Sequence, residues 1–256
     1  MLADLGYWPR QYALGLFRLW QFNGPWLAVR LTCCNLFGVR RQFSLRLFGF
    51  DLVLRSGTPD LAVALDSLGP EFEPVLGLPD PAGLIVDAGG YIGTAAMRLA
   101  RAFPASTVLS IEPSSENLEL LRRNVAGFAN VIVRQAALAA EPGTVDLTDP
   151  GAGHWGFTIA AQPGPARPTV ETVAAISMAD VLAETGHDRI FILKLDVEGA
   201  ERDILASSGG WMGRTAIVIA ELHEHLLPGC AGAFAAATAG RRNRRLPGEK
   251  WLSTQA

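Results

Sequence analysis

Three carboxylates in this chain each stand at the end of an apolar run. They are Asp87 in 84–88 (Leu-Ile-Val-Asp-Ala), Glu112 in 107–112 (Thr-Val-Leu-Ser-Ile-Glu) and Asp196 directly after 190–195 (Ile-Phe-Ile-Leu-Lys-Leu). Short apolar runs of this kind predict buried parallel strands, and the carboxyl ends of such strands meet at one edge of a sheet, where α/β proteins bind ligands. We therefore expect the three acids to border one ligand site.

The first acid is followed by a turn that suits a nucleotide. Residues 88–93 read Ala-Gly-Gly-Tyr-Ile-Gly, and we expect Gly89, Gly90 and Gly93 to line this turn. Glycines let a backbone turn tightly and approach a ligand, while the N–H groups of the following helix point at it. The segment is one substitution away from the dinucleotide fingerprint G-x-G-x-x-G. The turn alone therefore leaves a dinucleotide open, and also a turn that binds nothing.

Asp87 favours a cationic ligand over a phosphate. A carboxylate on the turn would repel the pyrophosphate of a dinucleotide, whereas S-adenosylmethionine carries a sulfonium and an α-ammonium and has no phosphate. Glu112, at the end of the next strand, can accept both hydroxyls of an adenosine ribose, a role that fits either ligand. Its alternative role is to offset the dipole of the helix that begins near Ser114. Asp87 therefore favours the methyl donor, whereas Glu112 supports a nucleotide ligand without deciding which one.

Chemistry on an acceptor is expected at the end of the third run. Residues 194–201 read Lys-Leu-Asp-Val-Glu-Gly-Ala-Glu. We expect Asp196 to orient or deprotonate a substrate nucleophile, and we assign Lys194 to the same catalytic set. Glu198 and Glu201 stand in the first turn of a helix, where acids offset the helix dipole. A structural role is therefore as open for them as a functional one.

The following strand ends in a second group of ionisable residues. Residues 220–225 read Ala-Glu-Leu-His-Glu-His. In an extended chain Glu221 and His223 lie on one side, so with Asp196 they form either an acid/base set or weak candidate ligands for a divalent cation. We assign His223 to the catalytic set and keep the cation as the alternative.

The composition bounds the class of protein. The chain has 256 residues, of which 49% are hydrophobic, enough for one large α/β domain. Its formal net charge of -3 gives no overall attraction for nucleic acid, and the arginines in 241–245 indicate a solvated face or, alternatively, a contact for an acidic substrate. Three cysteines, including Cys33 and Cys34, make neither a disulfide framework nor a metal motif, and the first residues lack a secretory pattern. We therefore expect a cytoplasmic protein.

The pattern of apolar residues predicts a doubly wound α/β sheet that would position these groups. From residue 81 apolar runs alternate with helix-like segments, which indicates a mostly parallel sheet with helices on both faces. The predicted strands are 84–88, 107–112, 131–135, 190–195, 215–221 and 249–253, and the predicted helices are 91–103, 115–127, 177–185, 199–208 and 229–239. Between them, 141–170 predicts a short strand and then an irregular loop that includes His154 and Trp155.

The N-terminal part precedes this sheet. We divide the chain into an aromatic, helical extension (1–45), a lead-in (46–80) with a strand or hairpin at 45–55 and a helix at 57–68, and the ligand-binding domain (81–256). The aromatic residues of the extension, with the arginines between them, are Trp8, Tyr12, Phe17, Trp20, Phe22 and Trp26, and Arg10, Arg18 and Arg30. We expect its apolar side to pack on the domain or on the second subunit of a homodimer, and a segment lying on a membrane surface is the alternative. The stretch 19–39 falls short of a membrane span.

Four blocks of sequence together resemble the FkbM family of S-adenosylmethionine-dependent methyltransferases. They are Val-Asp-Ala-Gly-Gly-Tyr-Ile-Gly (86–93), Ile-Glu-Pro-Ser-Ser-Glu-Asn-Leu (111–118), Leu-Lys-Leu-Asp-Val-Glu-Gly-Ala-Glu (193–201) and Ala-Glu-Leu-His (220–223). The resemblance covers roughly residues 50–225, and the third block is its most specific part. It implies a class I methyltransferase (Rossmann-like) fold of seven strands with the last antiparallel, and usually O-methylation of a sugar or other small-molecule hydroxyl. Gly90 and Tyr91 depart from the family, which commonly has alanine and then asparagine there.

On this basis the sequence predicts an S-adenosylmethionine-dependent O-methyltransferase. The predicted donor site comprises Asp87, Gly89, Gly90, Tyr91, Gly93, Glu112, Pro113, Asn117 and Ala137. The predicted catalytic set is Asp196, His223 and Lys194, with Asp196, Glu221 and His223 as the ligands if a divalent cation takes part. The expected reaction is in-line attack of a substrate oxygen on the sulfonium methyl, with no nucleic acid as partner. The alternatives are an NAD(P)-dependent oxidoreductase, which Asp87 and the lack of a Tyr-x-x-x-Lys pair disfavour, and a non-catalytic nucleotide-binding module at a membrane surface.

Overall fold

The computed structural model describes residues 15, 17–149, 157–159 and 168–256. Its strands are β1 (Gln42–Leu47), β2 (Phe50–Arg55), β3 (Leu84–Ala88), β4 (Thr107–Glu112), β5 (Val131–Gln135), β6 (Ala137–Leu138), β7 (Gly143–Thr148), β8 (Thr169–Ile176), β9 (Ile190–Leu195), β10 (Thr215–Glu221), β11 (Arg242–Arg245) and β12 (Lys250–Thr254). Its helices are α1 (Pro25–Leu36), α2 (Asp60–Ser67), α3 (Thr94–Ala102), α4 (Ser115–Val125), α5 (Met178–Thr185), α6 (Glu201–Ala206) and α7 (Cys230–Ala237). Residues 17–23 are also helical.

Seven strands form the central sheet in the order β11-β12-β10-β9-β3-β4-β5. β3, β4, β5, β9 and β10 run parallel, and β12 runs antiparallel to both of its neighbours, β10 and β11. The chain moves from β3 towards β4 and later continues on the other side of β3 with β9. The strand order therefore reverses at β3, which opens a crevice at its carboxyl end. This confirms the predicted class I methyltransferase fold, with a doubly wound, mostly parallel sheet whose last strand is antiparallel.

The five parallel strands have the predicted bounds, whereas several helices begin later than predicted, and for α3 and α6 the backbone shows why. Helix α3 begins at Thr94 and not at residue 91, because Tyr91 and Gly93 adopt left-handed backbone conformations with φ of 48° and 88°. Helix α6 begins at Glu201 and not at residue 199, because Glu198 and Gly199 have φ of 54° and 99°. A positive φ interrupts a right-handed helix, so both turns stay irregular up to these residues.

A second sheet of three strands, in the order β6-β8-β7, lies beside the central one. β7 is the short strand expected after residue 141. β8 is not predicted by the sequence analysis, because the Gly- and Pro-rich segment before it obscures its start, although Thr, Val and Ile dominate its residues. His154 and Trp155, which the analysis placed in the loop between them, lie outside the described residues.

The N-terminal segments pack against one face of the central sheet. β1 and β2 form an antiparallel hairpin, as expected around 45–55, although it already begins at Gln42. Leu19 and Leu31 are fully buried in a core that also contains Ile85 and Ile192 of the central sheet. The N-terminal segments and the sheet therefore share one core.

The sequence analysis expects the aromatic residues of the extension to pack on the domain or on a second subunit. Those that the structure describes do not enter the core that the extension shares with the sheet. They are between 51% and 79% exposed, and they are Phe17, Trp20, Phe22 and Trp26. The side chains buried on the core are leucines, because the helix faces that carry Leu19 and Leu31 turn inwards. Trp8 and Tyr12 lie outside the described residues. Among the described residues no helix is long and apolar enough to cross a membrane.

The arginines near the C-terminus divide into two groups. All residues of the edge strand β11 are exposed, as the solvated-face interpretation expects. Arg241 differs, because its guanidinium donates to the carbonyl oxygens of Thr215 at 2.8 Å and Ala216 at 2.9 Å. Arg241 therefore ties the C-terminal part of the chain to the start of β10.

Candidate active site

The turn after β3 is held by backbone hydrogen bonds. The N–H groups of Gly89 and Gly90 donate to the carbonyl of Ile111 at 3.0 and 2.9 Å. Gly89 has a φ of 81°, and a Cβ at this position would lie 1.8 Å from the carbonyl oxygen of Asp196. Only glycine allows β9 to end so close to this turn. The turn and Asp196 are therefore placed together by the backbone itself.

Tyr91 connects this turn to two other parts of the structure. Its backbone N–H donates to Glu112 Oε2 at 2.8 Å, and its hydroxyl donates to Asp60 at the start of α2. Burial raises the pKa of the Tyr91 hydroxyl, and the charge of Asp60 raises it further. The tyrosine that departs from the family pattern thus directs its hydroxyl into the N-terminal part of the protein.

Glu112 is buried at the end of β4 among hydrogen-bond donors. Besides Tyr91, the N–H of Ser114 and the side-chain amide of Asn117 donate to Oε1 at 3.0 and 3.2 Å. Burial raises the pKa of Glu112 to about 7, and the hydrogen bonds oppose this rise. A carboxylate accepts about four hydrogen bonds, so acceptor capacity remains on Oε2.

A buried ion pair supports Tyr91 and Asn117 from the N-terminal side. The guanidinium of Arg55 donates to both oxygens of Asp60 at 3.0 Å and to Asn117 Oδ1 at 2.9 Å. Arg55 is 6% exposed and Asp60 is fully buried. A fork of this kind fixes its partners in one plane, so the lead-in positions two of the groups that hold Glu112.

Lys194 joins the turn to the end of β9. Its ammonium donates to the carbonyl of Gly89 at 2.7 Å and lies 3.4 Å from Asp87 Oδ1 and 3.2 Å from Asp196 Oδ2. Burial alone would lower the pKa of Lys194, but the carboxylates of Asp196 and Asp87 raise it above its usual value. Lys194 therefore stays charged and holds Asp196 beside the turn.

The sequence analysis expects Asp87 to face the crevice. In the structure its side chain lies beneath the turn and outside the lining of the crevice. Its side chain is fully buried, and Oδ2 accepts a hydrogen bond from the Ser110 hydroxyl at 2.7 Å. The turn bends away over the carboxylate, which leaves Lys194 as the link between Asp87 and the crevice. Any effect of Asp87 on a ligand would pass through that ammonium.

The crevice contains a cavity of about 820 Å³, including its open mouth. Most of the predicted residues line it, namely Gly89, Gly90, Tyr91, Glu112, Pro113, Asn117, Ala137, Lys194 and Asp196. Three predicted residues, Asp87, Gly93 and His223, are outside the lining. The sequence analysis missed Val63 and Ser67, which α2 contributes to the wall. Their helix is predicted from the sequence, but nothing in its composition shows that it covers the sheet edge.

His223 is fixed behind Asp196 by a buried carboxylate. Its Nδ1 lies 2.8 Å from Glu201 Oε1, and its Nε2 lies 3.5 Å from Glu198 and 3.8 Å from Asp196. Glu201 is fully buried and also accepts the N–H groups of Val197 and Gly199. The position of Glu201 in the first turn of α6 therefore serves the site as well as the helix.

The charges at this place determine which groups are ionised. Burial opposes the charged form of His223, but the hydrogen bond and charge of Glu201 raise the pKa of His223 to about 10. Burial would also raise the pKa of Asp196, but Lys194 and His223 lower it below its usual value. Burial raises the pKa of Glu198 to about 8. Near neutral pH Asp196 is therefore a carboxylate between two cations.

The sequence analysis groups Glu221 with Asp196 and His223. In the structure Glu198, and not Glu221, lies within reach of both. β10 ends at Glu221, so the alternation that would place Glu221 and His223 on one side stops there. Glu221 instead lies 3.6 Å from the ammonium of Lys250, which also contacts Asp66 at 2.5 Å and Glu71 at 3.2 Å. Among the described residues, the ones whose oxygen and nitrogen atoms lie close enough to share a cation are Asp196, Glu198 and His223.

Two ends of the cavity can now be named. The turn end consists of Gly89, Gly90, Tyr91, Glu112 and Asn117. The acidic end consists of Asp196 and Glu198, which line the cavity, and of Glu201 and His223, which lie behind them. The turn end offers backbone groups and a carboxylate with acceptor capacity, and the acidic end offers an ionised carboxylate that is 27% exposed. Such a cavity can bind a nucleoside at one end and accept a proton at the other.

Comparisons with known proteins place the chain in a family. The family model described as the methyltransferase FkbM domain matches residues 87–229, which is more than half of the chain. A protein from Beauveria bassiana (strain ARSEF 2860) named Methyltransferase 1 is 29% identical over 140 residues, which cover 47% of this chain and 56% of that protein. The chain thus spans little more than half the length of this relative.

Solved structures of methyltransferases are also similar to parts of the chain. A methyltransferase from Geobacter sulfurreducens is 18% identical with a TM-score of 0.39, over 68% of this chain and 71% of that one. A precorrin-6y C5,15-methyltransferase from Geobacter metallireducens GS-15 is 10% identical with a TM-score of 0.44, over 77% of this chain and 88% of that one.

Proposed function

Because the chain belongs to the family of the methyltransferase FkbM domain, we propose that it transfers a methyl group from S-adenosylmethionine to a hydroxyl of a small molecule or sugar. The observation that carries the proposal is a single cavity, which begins at the glycine turn with Glu112 and ends at Asp196. A nucleoside site and a proton acceptor are the two parts that such a reaction requires.

The charges along the cavity support this donor over a dinucleotide. Among the described residues that line it, Lys194 is the only basic one, and it already lies between Asp87 and Asp196. A pyrophosphate would find no unpaired cation there, whereas a sulfonium and an ammonium suit a wall that carries Glu112 and Asp196. The remaining acceptor capacity of Glu112 suits a ribose hydroxyl.

The acidic end would act on the acceptor. S-adenosylmethionine, when bound, supplies a methyl group already activated on a sulfonium. Asp196 orients the acceptor hydroxyl and takes its proton, while Lys194 and His223 keep Asp196 ionised and in place. Its lowered pKa makes Asp196 a weak base, so it takes the proton as the bond to the methyl group forms. Alignment of the two reactants by the whole cavity can supply about 7–11 kcal/mol of the barrier in addition.

A divalent cation at Asp196, Glu198 and His223 is the second candidate for this end. The distances permit it, but a histidine with a pKa of about 10 is an imidazolium at neutral pH and must lose its proton before it binds a metal. This favours the role of Asp196 as a base. Activity that resists a chelator supports the base, and activity that vanishes with the chelator and returns with Mg²⁺ or Mn²⁺ overturns it.

Calorimetry tests the donor. We expect S-adenosylhomocysteine to bind and NAD not to bind. Binding of NAD alone would favour the oxidoreductase, and binding of neither would leave a non-catalytic module, so both results contradict the proposal. Glu112→Ala should weaken S-adenosylhomocysteine by more than about tenfold, about 1.4 kcal/mol. The matched control is Glu119→Ala, which removes an exposed carboxylate from the same helix region and should leave affinity unchanged.

The class of acceptor is tested with a methyl-labelled donor. Pools of sugars and small alcohols should take up the label, and the labelled products should be ethers. Label recovered in methylamines would keep the transferase and overturn the proposed hydroxyl acceptor.

A further inference from the structure

Residues 17–39, most of which are helical, expose a set of large apolar side chains. We call this set the amino-terminal face: Phe17, Trp20, Phe22, Trp26, Val29, Leu36, Phe37 and Val39, which are 41–79% exposed. Elsewhere in the described part of the chain, the large apolar side chains that are comparably exposed are only Leu78, Ile132 and Val170. Those three are single residues far apart in the sequence, which are common on protein surfaces, whereas the amino-terminal face gathers eight such side chains within 17–39, and clustered exposed apolar side chains mark an interaction site.

Helix geometry shows that the exposure follows one side of α1. Trp26, Val29 and Leu36 are spaced at three and seven residues, so they lie on the same side of the helix, and Leu31 on the opposite side is fully buried. In the preceding helical residues Phe17 and Trp20 also lie together, with ring centroids 5.7 Å apart. The leucines thus attach these segments to the protein, and the aromatic rings point away from it.

Hydrogen bonds fix this face on the fold. Asn23 Oδ1 accepts the N–H of Arg46 at 2.7 Å, and its amide donates to the Arg46 carbonyl at 2.8 Å. Asn35 Oδ1 accepts the N–H of Gly57 at 2.8 Å. The face is therefore presented by a segment anchored to the β1–β2 hairpin and to the turn before α2.

The segment that carries the amino-terminal face contains basic but no acidic residues, although the exposed Asp51 of β2 pairs with Arg46 at 2.9 Å. Residues 5–50 contain six arginines and no aspartate or glutamate, so all 25 acidic residues of the chain lie outside this segment. Arg18, Arg30, Arg40 and Arg41 are exposed beside the apolar residues. The whole chain has a net charge of -3, so the positive charge is local to this part of the molecule.

We propose that the amino-terminal face lies on the surface of an anionic lipid bilayer, with the aromatic and aliphatic side chains in the headgroup region and the arginines on lipid phosphates. Tryptophan and phenylalanine at one level with arginines around them are the composition of interfacial segments. A second copy of the chain would be a poorer partner, because a two-fold contact would bring the arginines of both copies together. This inference is independent of the proposed methyl transfer.

The amino-terminal part of the chain contacts a helix that also forms part of the cavity wall. A Cβ on Gly15 would overlap the side chain of Leu65 on α2, so the start of the described chain packs on this helix. The same helix contributes Val63 and Ser67 to the cavity wall. Binding to a bilayer would therefore hold one wall of the cavity close to the lipid surface.

Sedimentation of the full chain with vesicles tests the proposal. Vesicles of phosphatidylcholine with phosphatidylglycerol should bind the protein, vesicles of phosphatidylcholine alone should bind it at least about tenfold more weakly, and salt should release it. The triple variant Trp20→Ser/Trp26→Ser/Phe37→Ser should lower binding to the anionic vesicles by more than about tenfold. These side chains are exposed, so the variant should keep the unfolding midpoint of the parent.

Matched control variants separate the effect of the amino-terminal face from the effects of overall charge and of exposed apolar side chains elsewhere on the protein. Arg30→Glu/Arg40→Glu/Arg41→Glu should abolish the preference for anionic vesicles, whereas Arg242→Glu/Arg244→Glu/Arg245→Glu, on the exposed strand β11, should change binding by less than about twofold. Ile132→Ser/Val170→Ser is the apolar control. No binding to anionic vesicles, or equal loss in both arginine triples, overturns the proposal. A dimer that the aromatic triple converts to a monomer, without lipid binding, assigns the face to a second copy instead.

Discussion

The turn end and the acidic end of the cavity are held in place by different interactions. At the turn end the backbone does most of the positioning: Gly89 and Gly90 bond to Ile111, and the N–H of Tyr91 bonds to Glu112. At the acidic end side-chain charges do it, through Lys194 on Asp196 and Glu201 on His223. Backbone geometry changes little with pH, whereas a set of coupled charges does.

This difference predicts two kinds of response. Substitutions at the turn end should act on folding and on donor affinity. Substitutions at the acidic end should act on turnover and on the dependence on pH. A turn-end variant that changes the dependence on pH, or an acidic-end variant that changes donor affinity, would show that the two ends do not act separately.

The largest effect is expected for Asp196→Asn. The amide keeps the shape of the side chain but cannot take a proton, so turnover should fall by about 10²–10⁴ while donor affinity stays within about threefold. Rates under saturating acceptor and calorimetry with S-adenosylhomocysteine measure the two quantities. Asp203→Asn, an exposed carboxylate on α6, is the control and should keep full activity. Full activity of Asp196→Asn would leave Asp196 as a structural partner of Lys194 alone.

Gly89→Ala should have the next largest effect, and it should appear in folding. The new Cβ would lie 1.8 Å from a backbone oxygen and the residue would have to adopt a φ of 81°, so we expect a loss of about 3 kcal/mol or more in the free energy of unfolding. Urea unfolding measures it. Gly127→Ala is the matched control, because a Cβ there meets nothing within 4 Å. Equal stability of the two variants would show that the end of β9 moves away at little cost.

The same contrast explains how far the sequence could predict the site. The turn end is local: a strand, a glycine turn and an acid follow one another in the chain, and their order alone predicts Gly89, Gly90 and Glu112 correctly as neighbours of one cavity. The prediction of the acidic end depends on the residue at which β10 ends. Extending the strand by two residues placed Glu221 beside His223, whereas the structure pairs Glu221 with Lys250 of β12, a partner distant in sequence. The order of residues in the chain also does not show that Asp87 is fully buried beside Lys194 of a neighbouring strand and outside the cavity lining.

The acidic end should make stability depend on pH. His223 has a pKa of about 10 in the folded protein against a usual 6.5, so its contribution is complete below about pH 6.5 and is lost as the pH rises to about 10. Burial raises the pKa of Glu198 to about 8, and outside the acidic end it raises the pKa of Glu221 and of Glu112 to about 7; the ionisation of all three lowers stability as the pH rises. We expect the free energy of unfolding to fall as the pH rises from about 6.5 to about 10, and urea unfolding at the two pH values measures the decrease.

His223→Gln isolates the share of His223 in this dependence. The variant should be less stable than the parent at pH 6.5, because Glu201 loses its buried partner, and its stability should change less with pH. His225→Gln, at a histidine that is 59% exposed, should follow the parent. A pH dependence unchanged in His223→Gln would place its origin outside the acidic end.

The smallest effect is expected for Tyr91→Phe, and it tests the turn end most directly. The variant loses the hydroxyl that donates to Asp60, but Asp60 keeps both hydrogen bonds from Arg55. The free energy of unfolding should therefore fall by only about 1–2 kcal/mol. The N–H that Tyr91 donates to Glu112 belongs to the backbone and remains. Affinity for S-adenosylhomocysteine should therefore change by less than about threefold, against more than about tenfold for Glu112→Ala. If Tyr91→Phe weakened the donor as much as Glu112→Ala, the side-chain network with Asp60 and Arg55 would be what holds Glu112. The turn end would then depend on side-chain charges just as the acidic end does.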